Sequence, residues 1–175
     1  MNLLKPQSIF IVMVGVALFF SSCKEEGCTD LLAINYDLNA TKDNGSCKYL
    51  SENFVGIYGI KDSITGGMIL SEWEAVRNYT IEIVQDEDNP SQIIIRNWAK
   101  IHNYSDNSSD NYSQVSAYVN EDSLFVEFQE INNTNSYKAH NSCGKIILDS
   151  IFYDFEYENF FGEVFWGTAR GIKIE

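Results

Sequence analysis

The chain has 175 residues with 25 acidic and 12 basic side chains, a net charge of -13, and no basic stripe along it, which argues against nucleic acid as a partner. The length suits one domain of ordinary size with a sizeable core plus a small appendage. Acidity of this degree is first a solubility property of an exposed protein, and only then a hint at a cationic ligand.

The amino-terminal run from Ile9 to Phe20 carries no charge and follows Lys5. It fits the roughly 7–15 apolar residues of a cleaved signal peptide and falls short of the about 20 needed to span a bilayer. It ends in Phe20-Ser21-Ser22-Cys23-Lys24-Glu25-Glu26. This stretch resembles the lipobox of bacterial lipoproteins, where a signal peptidase cuts before a cysteine that carries diacylglycerol; Phe20 stands where that family more often has Leu. Lys24-Glu25-Glu26 resembles the lysine-plus-acids tag of Bacteroidota lipoproteins sent to the outer face of the outer membrane. The resemblance implies a signal peptide over residues 1–22, lipid on Cys23, and an outer-membrane protein facing the cell exterior. Attachment then comes from acyl chains at ~0.8 kcal/mol per buried methylene, with more than one chain needed for stable anchoring.

Besides Cys23, the chain has Cys28, Cys47 and Cys143. Cys28 and Cys47 bracket a compact polar segment, and in an oxidising envelope they suit a disulfide worth ~3 kcal/mol in the chain-entropy model. Cys143 is then a free thiol, or it takes one of the other two and ties the small segment to the main domain. The bracketed segment runs Gly27-Cys28-Thr29-Asp30, Ala33-Ile34-Asn35-Tyr36, Ala40-Thr41 and Asp43-Asn44-Gly45-Ser46-Cys47. It resembles a short module of Bacteroidota surface and secreted proteins, which implies the Cys28 to Cys47 pairing and a spacer role without catalysis for residues 23–50. Read as an EF-hand from Asp37, the segment puts Lys42 at the turn glycine and Lys48 at the bidentate Glu, so that reading fails. A looser calcium site at Asp30, Asp37, Asn39 and Asp43 competes with a set of Asx-rich turns, and no metal site is expected.

From residue 51 the hydrophobic period becomes two. Strands are predicted over Asn53–Ile60, Tyr79–Val84, Ile93–Trp98, Val115–Val119, Leu124–Phe128, Lys145–Leu148, Ile151–Glu158, Glu163–Arg170 and Ile172–Ile174. Turns fall at Asp86–Pro90 and Asn120–Asp122, polar loops at Asn103–Tyr112 and Asn132–Tyr137, and a short helix at Leu70–Val76. Leu124, Val126 and Phe128 are placed facing inward, as are Ile151, Tyr153, Phe155 and Tyr157. About eight antiparallel strands argue a barrel or sandwich, and a barrel is favoured because consecutive hairpins bring the first and last strands together and remove both edges. The expectation is an all-β chain whose residues 51–175 form an antiparallel β-barrel.

Phe54-Val55-Gly56-x-Tyr58, Tyr79-Thr80-Ile81-x-Ile83, Ile93-Ile94-Ile95-x-Asn97 and Gly144-x-Ile146 with Asp149-x-Ile151 and Tyr153 resemble the small lipocalin-like lipoprotein domains of Bacteroidota. True lipocalins open with G-x-W and cover that tryptophan with an arginine from the last strand. Here Tyr58 replaces the tryptophan and Arg170 is the candidate cation.

For function, Tyr79, Phe128, Tyr153, Phe155, Tyr157 and Trp166 form an aromatic set. It is read as plain core or, in a wide barrel, as the lining of a site for a small apolar ligand. The loops are the alternative surface, for an envelope protein partner or an adhesive role. His140 and Cys143 show none of the geometry of a thiol nucleophile, and Asp154, Glu156 and Glu158 alternate on one strand face, so no enzyme, catalytic residue or cofactor is expected. Asp62-Ser63-Ile64, Asp122-Ser123-Leu124 and Asp149-Ser150-Ile151 resemble the Bacteroidota O-glycosylation acceptor, and Asp-Ser turns at strand ends account for them equally.

Overall fold

The computed structural model describes residues 24–68, 71–101, 113–131 and 137–175, with the side chains of 67–74 left aside. Residues 1–22, expected to be a signal peptide, and Cys23, Leu70, His102 and residues 103–112 and 132–136, expected to be loops, lie outside the described residues. The chain divides into two compact units, Met1–Cys47 and Lys48–Glu175.

In the first unit β1 (Glu26–Gly27) pairs in parallel with β2 (Lys42–Asp43), and Cys28 is bonded to Cys47. Between them the carboxylates act on their own backbone. Asp30 Oδ1 accepts from the Leu32 amide at 2.9 Å, Asp37 Oδ1 from the Asn39 amide at 2.9 Å, and Asp43 Oδ1 from the Gly45 amide at 2.8 Å. Three of the four residues considered for calcium thus cap turns, and among the described residues no group of three or more His, Cys, Asp or Glu is placed to hold a metal ion.

The second unit is a closed eight-stranded antiparallel barrel. Its strands are β3 (Gly56–Met68), β4 (Ser71–Gln85), β5 (Gln92–Arg96), β6 (Gln114–Asn120), β7 (Ser123–Val126), β10 (Ser142–Ile147), β11 (Ser150–Glu158) and β12 (Val164–Lys173). Each pairs with the next in this order, and β12 pairs back onto β3, so the ring has no free edge. Short β8 (Gln129–Glu130) pairs with β9 (Lys138–Ala139), which extends the pairing of β11 beyond β10. No α-helix occurs among the described residues.

The period-two pattern sets the inner face: Tyr58, Ile60, Asp62 and Ile64 on β3, Ile81 and Ile83 on β4, Ile93 and Ile95 on β5, Val115 and Ala117 on β6, Leu124 and Val126 on β7, and Ile151, Tyr153, Phe155 and Tyr157 on β11 are all buried. One end is sealed by short turns and by Phe54. The Tyr58 hydroxyl donates to the Phe54 carbonyl at 2.9 Å, and the Ile174 amide donates to the Ile57 carbonyl at 2.8 Å.

Several sequence expectations need correction. Residues 71–76 are strand, because the backbone of β4 is in register with β3 from Met68↔Ser71 to Gly56↔Ile83; the ladder overrides the helix-like spacing of Leu70 and Val76. Phe54 belongs to a 3-10 turn's end ahead of β3, and Trp98 leaves β5 in a second short turn. The break assumed at Gly171 is absent. A β-carbon there would meet Ile60 and Ile151, so glycine lets β12 continue where the interior is crowded. Arg170 points outward, and the cation over Tyr58 is Lys173, whose Nζ lies 6.0 Å from the ring centroid and donates to the Val55 carbonyl at 2.6 Å. Asp62 sits in the middle of β3 facing inward, where an Asp-Ser turn has no place.

Candidate functional site

The inner face of β3, β4 and β11 carries a polar cluster that the sequence reading missed. Arg77 donates to Asp62 through both Nε, at 3.0 Å, and Nη2, at 2.6 Å. The Asp62 side chain is 0% exposed and that of Arg77 18%. The Tyr79 hydroxyl donates to Asp62 Oδ2 at 2.8 Å and lies 3.3 Å from the Tyr153 hydroxyl. Because the Tyr79 proton is committed to Asp62, Tyr153 is the donor to Tyr79, and the relay runs Tyr153 to Tyr79 to Asp62, with Arg77 closing it. The guanidinium carbon lies 5.7 Å from the Tyr79 ring centroid and 5.9 Å from that of Phe155.

Electrostatics follow from this arrangement. Burial pushes the Tyr79 hydroxyl far up from the ordinary phenol value, reinforced by Tyr153 and Asp62. Burial also raises Tyr153, against the lowering effect of its contact with Tyr79, and raises Tyr157 to about 12 against the opposing Arg77. Burial alone lowers Arg77, but the hydrogen bonds and charge of Asp62 outweigh it and the net shift is upward. At neutral pH the cluster is a bidentate ion pair beside neutral phenols, with each group engaged by another.

Around it the aromatic rings pack on one another. Trp98, fully buried, meets Phe155 edge-on at 6.0 Å and Tyr157 at 6.4 Å; Tyr157 stacks on Phe165 at 5.0 Å and on Phe155 at 6.5 Å. Trp98 is aimed inward by a reversal in which Asn97, Ala99 and Lys100 take positive φ, and Ser113 Oγ fixes it by donating to its carbonyl at 2.7 Å. Gly144 and Gly167 make room on the neighbouring strands. A β-carbon on Gly144 would lie 2.6 Å from Tyr153 Cβ, and one on Gly167 2.6 Å from Phe155 Cζ.

Of the aromatic residues singled out from the sequence, Tyr79, Tyr153, Phe155 and Tyr157 therefore converge inside the barrel. Phe128 and Trp166 do not. Phe128 lies past the end of β7, 60% exposed, with its ring edge-on to His140 at 5.5 Å. Trp166 is on the outward-facing register of β12 and 44% exposed. Strand alternation fixed the inward residues, while Phe128 failed because the strand ends at Val126. The same alternation places Arg77 with Tyr79 and Ile81, and Asp62 with Tyr58 and Ile60, so the ion pair was legible in principle.

His140 Nδ1 lies 3.0 Å from Glu156 Oε1, and Nε2 3.6 Å from Glu158 Oε2. Cys143 is a free, exposed thiol on β10 opposite Phe125. Clefts line the outer wall of β3, β12 and β11. One of about 560 Å³ includes Lys61, Phe152 and Arg170, a second of about 460 Å³ adds Ser63, Asp154 and Thr168, and a third of about 530 Å³ continues to Trp166 and Cys143.

No family model matches the chain, and no curated protein matches it. Among solved structures it is similar to the crystal structure of ywiB protein from Bacillus subtilis, at 6% identity over 69% of this chain and 93% of that chain, with a TM-score of 0.35.

Proposed function

We propose that the protein is a non-enzymatic lipoprotein, anchored through Cys23 to the outer membrane and facing the cell exterior, whose barrel is a rigid body for binding a partner protein through its outer wall and loops. The observation that carries this reading is the use of the inner aromatic face. Trp98, Phe155, Tyr157 and Phe165 pack against each other, and the Asp62 to Arg77 pair takes the polar centre, so these groups act as core. Large side chains that a binding surface needs are instead outside: Phe125, Phe128, Phe152, Phe161 and Trp166 are all exposed. The Cys28 to Cys47 module serves as a spacer between lipid and barrel.

The test is in living cells. A photo-crosslinking residue in place of Phe152 or Trp166 is expected to trap a discrete adduct, while one in place of Glu121, in the turn between β6 and β7, traps none. Cys23→Ser is expected to release the protein from the membrane fraction. Adducts of equal yield at all three positions, or none at Phe152 and Trp166, contradict the reading. A lipocalin-like carrier of a small apolar ligand is the second reading, favoured by the partial exposure of Arg77 on the inner face.

A further inference from the structure

We infer that the cleft floored by Gly59 on the outer wall is a binding site for an amphiphilic carboxylate, a group that joins one anionic head to an apolar body. This rests on the reading that the binding surface of the barrel is its exterior. The cleft holds about 560 Å³ and is lined by Gly59, Lys61, Asn78, Phe152, Arg170 and Ile172. That volume is within the roughly 300–1,000 Å³ of small-molecule sites.

Register puts four of these residues in one row across the wall: Asn78 opposite Lys61, Lys61 opposite Arg170, and Arg170 opposite Phe152. Like charges directly opposite on neighbouring strands repel and destabilise the pair. Lys61 and Arg170 nevertheless stand side by side, on a chain whose net charge is -13. Exposed Lys42 and half-buried Arg96 and Lys138 each meet a glutamate within 4.0 Å, whereas Lys61 and Arg170, like Lys145, form no ion pair among the described residues. An anion seated between the two turns their repulsion into two charge-assisted contacts, and the planar guanidinium suits a carboxylate. The Asn78 side chain adds a neutral donor at the end of the row.

The apolar half of the site is equally specific. Phe152 and Ile172 flank the cations and are both exposed. Gly59 is the outward position on β3 directly opposite Ile172, and a β-carbon there would meet only Ile174 Cγ2, at 3.9 Å, and the Ile172 carbonyl oxygen, at 4.0 Å. A β-carbon at Gly59 would thus make only ordinary van der Waals contacts, and the missing side chain leaves room on the cleft floor.

The test titrates 4-phenylbutyrate into the isotopically labelled chain from Lys24 to Glu175 with its disulfide intact, followed by amide and methyl NMR. Saturable shifts are expected at Lys61, Phe152 and Arg170. Affinity is expected to fall at least about tenfold for 4-phenylbutanol and for the K61Q/R170Q variant, since both remove the charge-assisted contacts. Gly59→Leu places a side chain in the hollow, its β-carbon in ordinary van der Waals contact, and is expected to abolish binding with the amide spectrum otherwise preserved. Equal affinity for the alcohol, or binding unchanged in K61Q/R170Q, overturns the site. Absence of binding also overturns it and leaves the exterior-surface reading to the crosslinking result. Shifts centred on the inward Ile81 and Ile83 methyls place the ligand inside the barrel and overturn both.

Discussion

The disulfide module and the barrel reach order by opposite means. In the module, Leu31, Leu32, Ile34 and Leu38 are exposed and only Cys28 and Ala33 are buried apolar residues, so a covalent link and four Asx caps hold it. The barrel has a continuous core from Phe54 to Ala169 and keeps a charge pair inside it. A segment too short to bury a core is stabilised by restricting its unfolded chain, whereas a domain of ordinary size is stabilised by burial and can hold a paired charge within it.

The comparison breaks most sharply at Arg77. Arg77→Met strands the Asp62 carboxylate in the interior and is expected to cost about 3–5 kcal/mol in urea unfolding. The double variant D62L/R77M is expected to recover most of that loss, because the pair itself is close to neutral against apolar replacements. Trp98→Ala removes the ring between Phe155 and Tyr157 and is expected to cost about 3–5 kcal/mol, measured in the same way.

On the module side, C28S/C47S is expected to remove ~3 kcal/mol of local stability in the chain-entropy model. Amide exchange is expected to speed up across residues 26–46 while the barrel midpoint in urea stays unchanged. A drop in that midpoint shows that the two units depend on each other.

The smallest effect is alkaline. Tyr58 and Tyr157 are raised to about 12 by burial, and Tyr79 and Tyr153 are also shifted upward. A raised folded-state value means that their contribution is complete below the unfolded value of about 10 and declines as pH rises through the folded value. Phenolate absorbance is expected to show these four tyrosines ionising only with unfolding.

Much of the fold was legible because strand alternation is a short-range property. Ile151, Tyr153, Phe155 and Tyr157 announce their inward face in nine consecutive residues, and that strand is Ser150–Glu158. Residues 71–76 were misread because a long hairpin's pairing is a non-local fact, settled by register with residues 63–68. Trp98 was assigned to a strand because nothing local shows that positive φ at Asn97 and Ala99 turns it into the core. The interior polar cluster joins residues 62, 77, 79 and 153. Alternation gives each its face, but only closure of the ring gives them each other.

Whether the inner face is purely structural is decided by native mass spectrometry of the mature protein purified from its own membranes. The predicted mass is that of the polypeptide with its lipid, unchanged on denaturation. An additional mass that leaves on denaturation, and is retained by K61Q/R170Q, contradicts the account and makes the barrel interior a ligand site.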